Sequence, residues 1–210
     1  MTNIGIRNII WVTAVLAVCA AAPQWTRAQE TLRITPPAVP GNLVAPVGTK
    51  PFLQGHAIGS QNYICLPSAT GFAWTLFGPQ ATLFNDEGRQ IMTHYLSANP
   101  EEAGTLRATW QHSNDTSAVW AMMIQPSSDP NYVAPGAIPW LLLQVMGDQE
   151  GPTGGDRLTP ALYIQRVHTA GGVAPATGCG VATDVGKKVF VPYEADYVFY
   201  KQRGHDDDQE

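Results

Sequence analysis

Thr82-Leu-Phe-Asn-Asp-Glu-Gly-Arg-Gln-Ile-Met-Thr-His-Tyr-Leu96 consists of two apolar runs joined by a polar tetrad. Asn85-Asp-Glu-Gly88 holds residues that turn a chain, with Gly88 placed to take a positive φ. The flanks, Thr82–Phe84 and Ile91–Leu96, carry β-branched and aromatic side chains. This is the pattern of a β-hairpin.

The pattern recurs outward in both directions. Turn signals stand at Gly78-Pro79, Asn99-Pro100, Asn114-Asp115, Asp129-Pro130 and Gly147-Asp148. Between them lie short runs that read as strands: Phe52–His56, Ser60–Cys65, Phe72–Phe77, Ala81–Phe84, Ile91–Leu96, Thr109–Gln111, Ala118–Gln125, Trp140–Met146, Leu162–Thr169, Lys188–Val191 and Asp196–Lys201. No helical stripe is sustained; Glu101–Thr105 and Trp140–Met146 are the best helical stretches, and both are short. The expected fold is therefore all-β, a single-domain antiparallel sandwich or barrel of short strands. In Ala118–Gln125 both faces are apolar, which places that strand centrally. Tyr193, Tyr197, Phe199 and Tyr200 supply large aromatic groups for the core.

Composition agrees with this reading. The chain has 210 residues, 44% hydrophobic and 14% charged, with 20 Gly and 17 Pro. Residues 1–28 have the order of a secretory signal peptide. Arg7 is followed by the uncharged run Ile9–Ala22, with Thr26-Arg-Ala28 as the cleavage site. That run is too short to span a bilayer, so no transmembrane segment is expected after cleavage. Export to the periplasm, cell surface or medium follows. Without Arg7 and Arg27 the twelve basic residues fall to ten against 17 acidic ones, a net charge near −7. No basic patch is left for a row of phosphates, which argues against nucleic acid as a partner.

The remaining segments are simpler. Residues 29–50 are a Pro-rich extended lead-in, 51–203 the β domain, and 204–210 an acidic solvated tail. Cys19 leaves with the signal, so Cys65 and Cys179 remain, and in an exported chain such a pair is expected to form a disulfide. Gly171-Gly172 and Gly178 give the backbone freedom to bring Cys179 round to Cys65.

Several motifs together carry a resemblance. Gly59-Ser-Gln-Asn-Tyr-Ile-Cys65, Thr82-Leu-Phe-Asn-Asp86 with His94, the Trp110 to Trp120 segment, Ile138-Pro-Trp-Leu-Leu142, Ile164–Cys179 and Val191-Pro-Tyr-Glu-Ala-Asp-Tyr197 resemble the domain-of-unknown-function family 3455. The resemblance runs from about Pro51 to Tyr200 and implies an exported single domain with the disulfide. Some of that family carry a malate dehydrogenase label. This chain has no Gly-x-Gly-x-x-Gly after a strand and no βαβ alternation, so its residues do not support that label.

No catalytic motif stands out. Gly-x-Ser-x-Gly is absent, and the histidines form no short-range ligand pair. His94 alternates with Met92 and Leu96 and reads first as a core histidine. His112 precedes Asp115, which can orient an imidazole, so His94, His112 and Asp115 are the catalytic candidates. Arg166 and His168, expected on one strand face beside the Gly-rich loop, and Trp110 are the binding candidates. Asp86 or Asp196 is the expected partner of Arg166. The function expected is a non-catalytic exported β domain binding a small molecule, a glycan or a surface partner, with no cofactor. The alternative is a secreted hydrolase or metal-dependent enzyme using His94, His112 or His168 with Asp86 or Asp115.

Overall fold

The computed structural model describes residues 34–204; the signal segment and the tail from His205 lie outside the described residues. Eight strands make one closed barrel, each antiparallel to the next in sequence order. They are β1 (Thr49–Ser68), β2 (Gly71–Phe84), β3 (Gln90–Asn99), β4 (Thr105–His112), β5 (Ala118–Ser127), β6 (Trp140–Gln149), β7 (Tyr163–Gly171) and β8 (Lys188–Gln202). The last strand pairs with the first, from Thr49↔Gln202 to Ile64↔Lys188. Every strand pairs with a neighbour on both sides over at least part of its length, which settles the choice between sandwich and barrel.

Several strands are longer than expected. Phe72–Phe77 and Ala81–Phe84 are one strand, because Gly78-Pro79 makes a bulge instead of a turn. Gly78 takes φ 145°, and the register against β1 shifts between Asn62 and Tyr63. Pro192 lies inside β8 opposite Ser60, so the two C-terminal runs are also one strand. Trp140–Met146 is strand, since β5 and β7 claim its backbone on both sides. Of the other helical stretch only a 3₁₀ turn forms, Pro100–Glu102, where Asn99 Oδ1 accepts from the Glu101 N–H at 3.1 Å. The Asn85–Gly88 hairpin forms as read, with Gly88 at φ 73°.

Side-chain alternation divides the molecule into an inside and an outside. Leu53, Leu83, Met92, Val119, Ile164 and Phe199 fill one half of the barrel interior. That end is stoppered by the connection after β6, whose Leu158 is fully buried in the same cluster. A second cluster lies on the outer wall, where Val133, Trp140, Leu142 and Val167 pack with Leu43. The part of the lead-in around Leu43 is therefore docked: Gln165 Nε2 donates to the Leu43 carbonyl at 2.6 Å and Asn42 Nδ2 to the Pro126 carbonyl at 3.0 Å.

Cys65 and Cys179 are joined, with Cα atoms 5.5 Å apart across 114 residues of sequence. Two positive-φ residues, Gly171 (65°) and Gly172 (83°), bend the chain out of β7 towards this bond. A Cβ on Gly172 would sit 2.9 Å from Tyr193 Cβ, so the bend also needs its bare backbone. Asp184 then ties the returning loop down, accepting from the Gly180 and Val181 N–H groups and from Lys187 Nζ.

Candidate functional site

The half of the barrel opposite the stopper is open. Its cavity holds about 290 Å³ and is lined by Leu96, Leu106, Ala121, Met123, Leu141 and Leu143 on its apolar side. Gln61, His94, Trp110, Arg166 and Tyr197 supply its polar groups. At the rim, Leu76, Leu106 and Met123 are at least half exposed. The barrel is a cup with a packed base and an apolar lip.

The wall of the cup has a slot. The β2–β3 ladder runs only from Ala81↔His94 to Phe84↔Gln90, whereas β3 continues to Asn99. Beyond the end of the ladder lies an open groove of about 690 Å³, bordered by Ser60, Asn62, Gln80 and Tyr95. The groove and the cup share Phe77, Gly78, Pro79, His94 and Leu96. The interior is thus reached through the mouth and through the wall.

Within the cup, His94 is buried and stacked on Trp110, and both rings meet Tyr197. Its Nδ1–H donates to the Thr109 carbonyl at 2.9 Å. Burial pushes the imidazole pKa down to about 3, with Arg166 adding to the effect, so His94 is neutral near pH 7. Arg166 donates from Nε and Nη2 to the Pro139 carbonyl at 3.3 and 2.8 Å. The expected carboxylate partners are occupied elsewhere: Asp86 and Asp196 both accept from His56. The Arg166 charge also acts on the hydroxyls of Tyr63, Tyr193 and Tyr197, opposing the rise that burial causes. Two buried donors, Gln61 Nε2 and Trp110 Nε1, make no hydrogen bond within the described residues.

The sequence candidates separate into three places. His94, Trp110 and Arg166 share the cup. His112 lies at the stoppered end, where its Nδ1 meets Asp115 Oδ1 at 3.0 Å. Asp115 there acts as a clamp: it accepts from the Ser117 N–H and hydroxyl, and its Oδ2 accepts from the Arg157 N–H of the stopper. Burial pushes its pKa up, yet these donors prevail and hold it at about 2. His168 does not share a face with Arg166. The β7–β8 register shifts between Val167 and Ala170, and His168 takes φ 50°, which turns its ring to the outer wall against Trp140 and Asp196.

Outside the barrel, His56 joins two carboxylates. Its Nδ1 meets Asp196 Oδ1 at 2.6 Å and its Nε2 meets Asp86 Oδ1 at 2.7 Å, while Asp196 Oδ2 takes His168 Nδ1 at 2.8 Å. The hydrogen bond to Asp86 and then that to Asp196 raise the His56 pKa against the opposing effect of burial. Among the described residues no three His, Cys, Asp or Glu side chains are arranged to hold a metal ion. The four tryptophans Trp74, Trp110, Trp120 and Trp140 do not gather at one cleft. Trp110 lines the cup, Trp120 donates to Ser97 Oγ, Trp74 to the Thr177 carbonyl, and Trp140 belongs to the outer cluster.

Sequence reasoning missed Gln61, Tyr197 and the leucine lip as parts of one site. Their only sequence signal is alternation, Gln61 with Tyr63 and Tyr197 with Tyr193, and alternation does not say which face is inside.

A family model described as "Protein of unknown function (DUF3455)" matches residues 46–201. The chain belongs to this family. The match takes in every strand of the barrel apart from the last residue of β8, and both cysteines of the disulfide. No curated protein and no solved structure matches the chain. Among the described residues no helix is long and apolar enough to cross a membrane.

Proposed function

We propose that this member of the family is an exported, non-catalytic barrel that binds a small, mainly apolar molecule inside the cup. One observation carries the reading: buried side chains close one end of the barrel interior, while the other end holds a lined cavity that opens to solvent. Protein interiors are normally packed throughout, and a concave, mostly apolar cavity with a few converging polar groups is the usual form of a ligand site. The exposed leucines and methionine of the lip support it, since contiguous exposed apolar surface marks places of interaction. Export is supported by the disulfide, which persists in oxidising compartments.

The disposition of the titratable groups favours binding over catalysis. His94 is neutral and engaged with a backbone carbonyl, and the cup contains no Asp or Glu to pair with it. With a pKa of about 3 the imidazole is also far from the value that suits a general base near neutral pH.

Titration with the neutral dye Nile red, followed by its own emission and by quenching of the tryptophans, tests the reading. Saturable binding of one dye per chain is expected. Ala108→Phe, which fills the cup beside Leu106, should weaken it about tenfold or more. Absence of saturable binding by Nile red and by the alcohol and acid probes named below would end the proposal.

A further inference from the structure

Three donor groups border the cup beside the His94 imidazole and the Tyr197 hydroxyl. Arg166 contributes a guanidinium, Gln61 an unpartnered Nε2, and Trp110 an unpartnered indole N–H. Gln61 and Trp110 are 2% and 0% exposed, so water does not freely serve them from the surface. A buried donor without a partner is destabilising; Trp140 Nε1 in the outer cluster is another among the described residues, so what sets the cup apart is the cation beside its two. The cavity lining contains two arginines and no carboxylate. Arg107 is satisfied at the lip by Glu102, through Nε and Nη2 at 2.8 and 2.7 Å. Arg166 meets the Pro139 carbonyl and the Tyr197 hydroxyl, both neutral, and no carboxylate of the cavity lining. A chain of net negative charge has thus placed an uncompensated positive charge inside an apolar cup.

We infer that the ligand is an amphiphile with an anionic carboxylate head, held by the Arg166 guanidinium. This rests on the cup being a binding site. A carboxylate matches the planar guanidinium in shape and accepts several hydrogen bonds at once. Its apolar body lies against Leu96, Leu106, Ala121, Met123, Leu141 and Leu143. The cavity of about 290 Å³ is at the small end of ligand pockets. A saturated acid near ten carbons, or an arylalkanoic acid of similar size, is the probe of choice. The mainly apolar lining suits such a body better than a sugar.

The experiment is displacement of Nile red from the full mature chain by decanoate and by decanol, at fixed pH and salt. Decanoate should bind about 10- to 100-fold more tightly than decanol, the range of a charge-assisted hydrogen-bonded pair. Arg166→Gln should remove that preference and leave decanol within about threefold of the parent. Arg166 also braces the Pro139 carbonyl, so its variant is checked by thermal unfolding. Arg166→Lys, which keeps the charge, is the second arm and should retain a preference for decanoate. Equal affinity for acid and alcohol, or a preference that survives Arg166→Gln, overturns the carboxylate assignment while binding in the cup stands. Failure of all three probes to bind overturns both.

Discussion

His94 lies flat on Trp110, with ring centroids 4.1 Å apart and planes 11° from parallel. The pair forms the floor of the cup, where β3 and β4 are in register at His94↔Trp110. A protonated imidazole in this place would be desolvated and would feel Arg166, so folding keeps the ring neutral. The unfolded chain protonates near pH 6.5 and the folded one only near 3, so the unfolded state binds the extra proton between these values. Stability should therefore fall as the pH drops through that window, by up to about 1.4 kcal/mol per unit. Urea denaturation at pH 7, 5.5 and 4.5 measures the slope. His94→Gln, which retains a donor for the Thr109 carbonyl, should flatten it, and an unchanged slope would refute the assignment.

His56 should behave in the opposite sense. Its folded pKa is raised by Asp86 and Asp196, so its contribution is fully present below the unfolded value and disappears as the pH rises through the folded one. Titration of the imidazole proton by NMR should give a midpoint above 6.5, and Asp196→Asn should lower it. A midpoint at or below the ordinary histidine value would contradict the geometry.

The stopper depends on Asp115. Asp115→Ala removes the acceptor for the Ser117 and Arg157 N–H groups and the Ser117 hydroxyl. A loss of about 3 kcal/mol is expected, the scale of a charged acceptor with several donors. Because the carboxylate is held at about 2 against an ordinary 3.8, its contribution is present above pH 4 and is lost as the pH falls towards 2. Limited proteolysis should reach the connection after β6 sooner in the variant; equal rates would show that the clamp does not hold it.

Reduction of Cys65–Cys179, or Cys65→Ser with Cys179→Ser, releases a loop spanning 114 residues of sequence. The chain-entropy estimate for a loop of this size is about 4–5 kcal/mol. Thermal unfolding with and without reductant should differ by many degrees. A shift under about 2 °C would mean that the hydrogen bonds joining Cys65 to Lys187 and Gly186 hold the loop without the bond.

The all-β class was legible because turn chemistry and alternation are local. Asn85–Gly88 turned where its residues required, and Val119 and Ala121 of the doubly apolar fifth strand did enter the core. What failed was local evidence with a non-local answer. Gly78-Pro79 has the composition of a turn, yet β1 lies alongside for the whole length of β2 and makes it a bulge. His168 obeys alternation with Arg166 on paper, but a register slip against β8 turns it outward. Of the cup, His94, Trp110 and Arg166 were visible as isolated candidates. Their convergence was not, since it needs strands separated by some fifty residues to close on one another.

Closure of the barrel sets an order of events on the chain. The seam between β1 and β8 has the most extensive contact of any strand pair, and it joins Thr49 to Gln202. None of it can form until the final strand is free to reach back across the whole domain. Contacts so distant in sequence slow folding. Until that seam closes, β1 and β8 each present an unpaired strand edge, and an unpaired edge is where a second chain can add.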